Sequence, residues 1–326
     1  MAAEKSTSHE IADWPPAVNE GVNRTSSVRG SAVGMQATAA GAERKPLLRR
    51  LASNKELLFS GIAVAAIGAV ALAPGLFATH DPYGLDVASR FQKPGSTHLF
   101  GTDNFGRDIY SRTVFGLQIS VLVGLGVAAM SGLLGLVIGL YAGFYRVLDQ
   151  LFMRISDGLI AFPSILLALA IMSMLGPSIG NLMLCLTAVI TPNVARVVRS
   201  GVLVVREQTY VEAMQALGAS KTRILWRHIA PNTMSVLIVQ TTFIFVEVII
   251  VEAALSFLGA GIPAPTPSLG NLLLDGKMYI FNSWWMTVFP GAALFAVALV
   301  FNLLGDGLRD YLDPHADRAG GKSGRK

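Results

Sequence analysis

The chain has 326 residues, of which 52% are hydrophobic and only 14% charged, with a formal net charge of +5. Soluble domains usually carry about 25% charged residues, so a water-soluble globule is excluded. The one cysteine, Cys185, excludes an intrachain disulfide, and the basic excess clusters by segment as membrane topology requires rather than as a nucleic-acid patch.

Residues 1–50 are rich in Ala, Ser, Gly and Thr without a sustained apolar period, which predicts a disordered tail. This polar lead is too long for the charged start of a cleavable signal peptide. Four stretches then lack Asp, Glu, Lys and Arg altogether: Leu57–His80, Thr113–Tyr145, Gly158–Ala195 and Met278–Gly305. A helix crossing a bilayer needs roughly 20 mostly apolar residues. The third stretch is too long for one crossing, and Gly176-Pro177 supplies its break, because proline cannot continue a helix. A fifth crossing lies between Met234 and Phe257. The predicted fold is an all-α membrane protein with six spans, at 57–78, 118–142, 158–176, 180–200, 234–257 and 284–305.

With the N-terminus inside, the inner segments hold 21 Lys and Arg and the outer ones 5. The positive-inside rule therefore places both termini in the cytoplasm. The predicted organisation is a cytoplasmic tail over 1–50, a first spanning segment over 51–78 and an extracytoplasmic segment over 79–117. A membrane core over 118–305, with a cytoplasmic loop at 204–232, and a second tail over 306–326 follow.

That loop contains "EAMQALGASKTRILWRHIAPN", Glu212 to Asn232. Tyr210, Ala213, Met214 and Leu217 fall at i, i+3, i+4 and i+7, one helical face. Gly218 follows where a left-handed residue ends a helix. Ala219 completes the corner, and Ser220 is placed to cap a second helix through its side chain. That helix carries Lys221, Arg223 and Arg227 and is expected to end near Pro231. Physically, such a hairpin either rests its basic side on anionic lipid or docks a cytoplasmic partner.

Four further groups of residues bear chemistry. Asp103, Arg107, Asp108 and Arg112 are spaced for i,i+4 ion pairs on a surface helix, with contact to an external protein as the alternative. Glu247 and Glu252 lie in the fifth span, where a carboxylate is costly; a structural hydrogen bond or subunit interface and a substrate path both remain open. Arg196 and Arg199 are assigned to headgroup contact at the end of the fourth span. No histidine shows metal-ligand spacing, so no metal site is expected. The terminal "GGKSGRK" is not a phosphate-binding loop, since Ala316 stands where its first glycine would be. The chain itself is expected to bind no ATP and to have no catalytic site.

Glu212-Ala213, Gly218 six residues on and Pro231 thirteen further resemble the EAA motif of ABC importer permeases, with Met214 and Ala230 departing from its usual residues. "HLFGTDNFGRDIYSRTVFG", "RVLDQLFMRISDGLIAFP", "EAALSFLGAGIPAPTPSLG" and "FNLLGDGLRDYLDP" resemble, in order, segments of the dipeptide, oligopeptide and nickel permease subfamily. Leu269 stands where that family usually shows Trp. The resemblance covers roughly residues 57–314. It implies a type I ABC importer permease fold, C-type, in a bacterial cytoplasmic membrane. It also implies a homologous B-type permease, two P-loop ATPases carrying ATP and magnesium, and an extracytoplasmic binding protein. Tyr210 to Lys221 would be the coupling element, and Asp103, Arg107 and Asp108 would face the binding protein. A transporter working alone, or a scaffold whose hairpin only reads lipid, would lack the ATPase partner.

Overall fold

The computed structural model describes residues 55–312; the tail over 1–50 and residues 313–326 with the terminal "GGKSGRK" lie outside them, whereas 306–312 of the expected second tail belong to the last helix. Among the described residues the regular structure is helical apart from one isolated bridge, Thr102 to Asp108. The helices are α1 (Lys55–Leu72), α2 (Pro74–Phe77), α3 (Ile109–Phe144), α4 (Arg146–Ile160), α5 (Ser164–Leu175) and α6 (Ile179–Arg206). There follow α7 (Thr209–Ala216), α8 (Lys221–Ile224), a π turn (Leu225–Ile229), α9 (Ala230–Phe257), α10 (Leu269–Lys277) and α11 (Trp285–Leu312).

Four of these are long and apolar enough to cross a membrane: α3, α6, the continuous run Lys221–Phe257 and α11. The pair α4 and α5 passes the same test together but is bent by 91°, and α1 is a shorter apolar helix. Each expected span thus has a helical counterpart, with shifted bounds. The first stops at Leu72 because Pro74 has no N–H to give and its ring would clash with the preceding turn. The second begins at Ile109, where the Asp108 side chain accepts from the Ser111 N–H at 2.8 Å and caps the helix. Its 36 residues run about 54 Å, well past a hydrocarbon core of roughly 30 Å.

The third span was expected from Gly158. Instead Gly158–Ile160 belong to α4, and α5 starts only after the turn at Pro163. At the next break Gly176 takes φ +79°, and the Ser178 hydroxyl accepts from the Asn181 N–H at 3.0 Å to start α6. Arg196 and Arg199, expected at the headgroups, both have carboxylate partners within the chain. Arg196 pairs with Asp157 at 2.7 Å, and Arg199 grips both oxygens of Asp149, so α4 is pinned along α6.

The core forms where α3 meets α6 and α9. Gly135, Gly139 and Gly143 recur every fourth residue on α3 and face Val194, Val198 and Val202 of α6. A methyl group built on Gly139 would sit 2.6 Å from the Ala195 carbonyl oxygen, so the backbones touch there. Small residues permit this approach, and in lipid such packing rather than hydrophobicity holds helices together. Phe245 of α9 stacks on Phe301 of α11 at 3.8 Å between centroids. Leu122, Leu125, Leu133 and Phe295 are exposed apolar side chains, as lipid-facing positions require.

The α3–α6 contact yields a direct expectation. Gly139→Leu forces the two backbones apart and costs about 3 kcal/mol. In detergent, the monodisperse fraction surviving a heat step, read by size-exclusion chromatography, drops steeply. Leu133→Ala, on the exposed face of the same helix, leaves it unchanged.

Candidate functional site

The polar hairpin is built from α7, a corner and α8. In α7 the packed face is Val211, fully buried, with Met214 half-buried. Tyr210, Glu212 and Ala213 face outward, and Leu217 at the tip is 86% exposed. The four-residue face predicted from spacing is therefore divided: Met214 turns inward and the other three turn out. Val211 was missed, although its three-residue offset from Met214 was a readable signal.

Gly218 adopts φ +79°, a conformation open to glycine and strained for side chains with a Cβ. Its N–H donates to the Gln215 carbonyl and that of Ala219 to the Met214 carbonyl, both at 3.0 Å. These two bonds close α7 with a Schellman turn and satisfy carbonyls that the helix end would otherwise orphan. Ala219, like Met214, packs half-buried against the core, while Ser220 and Lys221 stay exposed.

Two expectations fail here for physical reasons. Ser220 has cap backbone angles but its side chain makes no capping bond. Nor does the second helix end at Pro231. It runs on as α8, the π turn and α9, a continuous helical stretch from Lys221 to Phe257. Pro231 has no N–H for the carbonyl four residues back, and a widened turn with the Ala230 N–H on the Leu225 carbonyl accommodates it. Ile224, Leu225 and Ile229 are buried on the core side. The corner is therefore the free end of the fifth span itself.

The base of the hairpin is tied to α3. Arg206 Nη1 donates to the Gly143 carbonyl at 3.1 Å, serving an orphan carbonyl at the α3 C-terminus. A cavity of about 480 Å³, lined by residues including Tyr145, Arg206, Gln215 and Lys221, opens beside it.

At the opposite end, Asp103 and Arg107 do pair, at 2.6 Å, but in a loop rather than on a helix. Gly106, at φ +79°, makes the turn, and Asp103 also accepts from the Phe105 and Arg107 N–H groups. Asp108 caps α3 and takes His98 as its partner instead of Arg112. Asp103, Arg107 and Asp108 are all buried, and these side chains build the loop. Asp275 of α10 lies 3.4 Å from Arg107. Burial pushes the Asp275 carboxyl above its ordinary value, and Arg112 and Arg107 pull it partly back. Leu269, the first residue of α10, is fully buried.

The two glutamates in α9 part company. Glu252 is enclosed, accepting from Ser120 of α3 at 3.0 Å and from Ser256 at 2.9 Å. Those hydroxyls in turn accept from the Leu269 and Ile262 N–H groups, so the carboxylate holds α3, α9 and the following loop together. Its side chain is fully buried within the chain. Glu247 is half-buried and makes no hydrogen bond among the described residues.

Residues 135–318 match the family described as binding-protein-dependent transport system inner membrane component. A Brucella abortus protein, named as a candidate peptide transport system permease, is 48% identical over 239 residues, 73% of this chain and 81% of its own. The dipeptide transport system permease protein DppC of Alkalihalophilus pseudofirmus is 40% identical over 82% of this chain and 88% of its own. The oligopeptide transport system permease protein OppC of Bacillus subtilis is 36% identical over 83% and 89%.

The divided faces of α7 are separable by mutation. Leu217→Ser changes thermal stability by no more than about 0.5 kcal/mol. Val211→Ser buries a hydroxyl and lowers it by about 2 kcal/mol. Melting midpoints of the two purified variants against the parent give the comparison.

Proposed function

The chain belongs to the family of binding-protein-dependent transport system inner membrane components, and we propose that it is the C-type permease of an ATP-driven peptide importer. The relatives named for peptide, dipeptide and oligopeptide transport support peptides as the cargo class. The chain works in a bacterial cytoplasmic membrane with the hairpin and both termini on the cytoplasmic side, as the distribution of Lys and Arg supports. A homologous B-type permease completes the path. Two P-loop ATPases, carrying ATP and magnesium, lie beneath, and an extracytoplasmic binding protein delivers peptide to the outer loops.

The observation that carries this reading is the corner from Tyr210 to Lys221. It presents Tyr210, Glu212, Ala213, Leu217, Gly218, Ser220 and Lys221 outward on a Schellman turn. It is also continuous with a helix running to Phe257. An exposed tip closed by two backbone hydrogen bonds and joined to a membrane helix suits a groove on an ATPase. Movement of that groove then moves the fifth span directly. ATP binding shifts the two-state equilibrium between inward-facing and outward-facing forms by gripping the tip differently in each. Glu247, half-buried and without a hydrogen bond among the described residues, lines the path or the contact with the B-type permease, where water or a polar group meets the carboxylate.

Purification of the tagged chain from its native membrane in a gentle detergent, with mass identification of co-purifying chains, is the decisive measurement. A second permease and P-loop ATPases are expected. A chain that comes alone across detergents refutes the coupling role. Gly218→Val adds a sharper test. A residue with a Cβ pays roughly 1–2 kcal/mol in the left-handed conformation, so the tip distorts while the spans persist. Transport falls by about tenfold or more and ATPase activity no longer responds to peptide-loaded binding protein, with the two permeases still assembled.

A further inference from the structure

The chain leaving α2 folds back over the first turn of α3. The Thr79 and His80 N–H groups both donate to the Ser111 hydroxyl, at 3.2 and 3.0 Å, which fixes His80 above the helix N-terminus. The loop preceding α3 brings a second imidazole to the same place. His98 Nδ1 lies 2.9 Å from Asp108 Oδ1, and His80 Nδ1 lies 3.9 Å from that same oxygen. The two rings are 4.7 Å apart, and all three donor atoms fall within 4.8 Å of one another.

Asp108 is held rigidly in this cluster. Its Oδ2 is committed to the Ser111 N–H as the cap of α3, which aims Oδ1 at the two imidazoles. Exposure rises outward through the group: 1% for the Asp108 side chain, 12% for His98 and 39% for His80. A buried carboxylate with imidazoles layered towards solvent has both a reason to hold a cation and a way in for one.

We propose that His80, His98 and Asp108 form a binding site for a divalent first-row transition metal, with zinc as the representative ion. Two imidazole nitrogens and one carboxylate oxygen suit this class and not magnesium or calcium, which take oxygen ligands. Bonds of about 2.0–2.2 Å place ligand atoms roughly 3.3 Å apart in a tetrahedron. The His98–Asp108 edge is already near that value, and a rotation of the exposed His80 ring closes the others. The fourth position faces solvent beside His80. Metal takes the place of the hydrogen between His98 Nδ1 and Asp108, and the neutral imidazole carries its one proton on Nε2 instead. The bound ion clips the segment after α2 to the first turn of α3. The positions 80, 98 and 108 have no metal-ligand spacing in sequence, and the fold alone assembles them. The site stands independently of the transport reading, since it is read out by binding.

The test titrates the purified full-length assembly, stripped of metal, with cobalt(II) at pH 7.5, following the visible absorption of the bound ion, and then displaces it with zinc. One saturable site per chain is expected. His80→Ala, at an exposed side chain, leaves the assembly folded and lowers affinity at least tenfold. His98→Gln keeps a hydrogen-bond donor for Asp108 yet loses the metal, which separates a ligand from a merely structural partner. His228→Ala, at the other end of the molecule, binds normally. Absence of saturable binding, or binding that His80→Ala leaves unchanged, overturns the proposal and reduces the cluster to a hydrogen-bonded pair with a neighbouring ring.

Discussion

The contact on which the rest of the structure depends is the backbone approach of α3 to α6 along Gly135, Gly139 and Gly143. Lipid tails are as apolar as leucine, so burying hydrocarbon gives these helices little reason to associate. Close van der Waals fit has to do it, and glycine every fourth residue on α3 lets the valines of α6 seat against bare backbone. Because α3 and α6 are in register there, Arg206 reaches the Gly143 carbonyl and the hairpin acquires a fixed base. A shift of α6 by one residue would move Val194, Val198 and Val202 off the glycines.

Polar groups inside this frame are placed where several elements need joining. Glu252 is held by hydroxyls from Ser120 and Ser256, and through them by the backbone of the loop that leads to α10. An unsatisfied carboxylate there would be costly in so apolar a setting, so the cluster functions only as a complete set. Asp149 and Asp157 do the corresponding work at the hairpin end, clamping α4 to Arg199 and Arg196. The loop before α3 is organised similarly, with Asp103 serving two N–H groups and a guanidinium while Gly106 makes the turn. The motif "GTDNFGRD" is thus a self-bonded turn that ends in a helix cap.

The hairpin follows from these supports. Its first arm is short and packs only Val211 fully, and its second is the lower end of a long helix. The π turn before Pro231 keeps that helix unbroken, so displacement of the tip is carried along the same element that bears Glu247 and Glu252. A broken helix at this point would have let the corner move independently of the membrane region. Leu269 adds a smaller lesson. It departs from the tryptophan usual in the related family, yet it is buried at the start of α10 and alters packing, not the exposed surface.

The sequence by itself determined the class of the protein, the six apolar segments, the break at Gly176-Pro177 and the corner at Gly218. Each of these is a local property: hydrophobic run length, a missing N–H, or a residue free to take positive φ. It also placed the motif residues from Tyr210 to Lys221 on one short stretch. The tertiary structure alone decided which faces are packed, because burial depends on neighbours distant in the chain. It turned Met214 inward and Leu217 outward, gave Arg196 and Arg199 carboxylate partners from α4, and enclosed Glu252 while leaving Glu247 without a hydrogen bond among the described residues. It carried the second arm through Pro231, since a widened turn stabilised by packing of Leu225 and Ile229 can absorb a proline that local rules treat as a stop. It also brought His80 and His98 to Asp108. No spacing rule could have joined those three, because the loop bonds that converge on Ser111 and Asp108 exist only once α3 has formed its first turn.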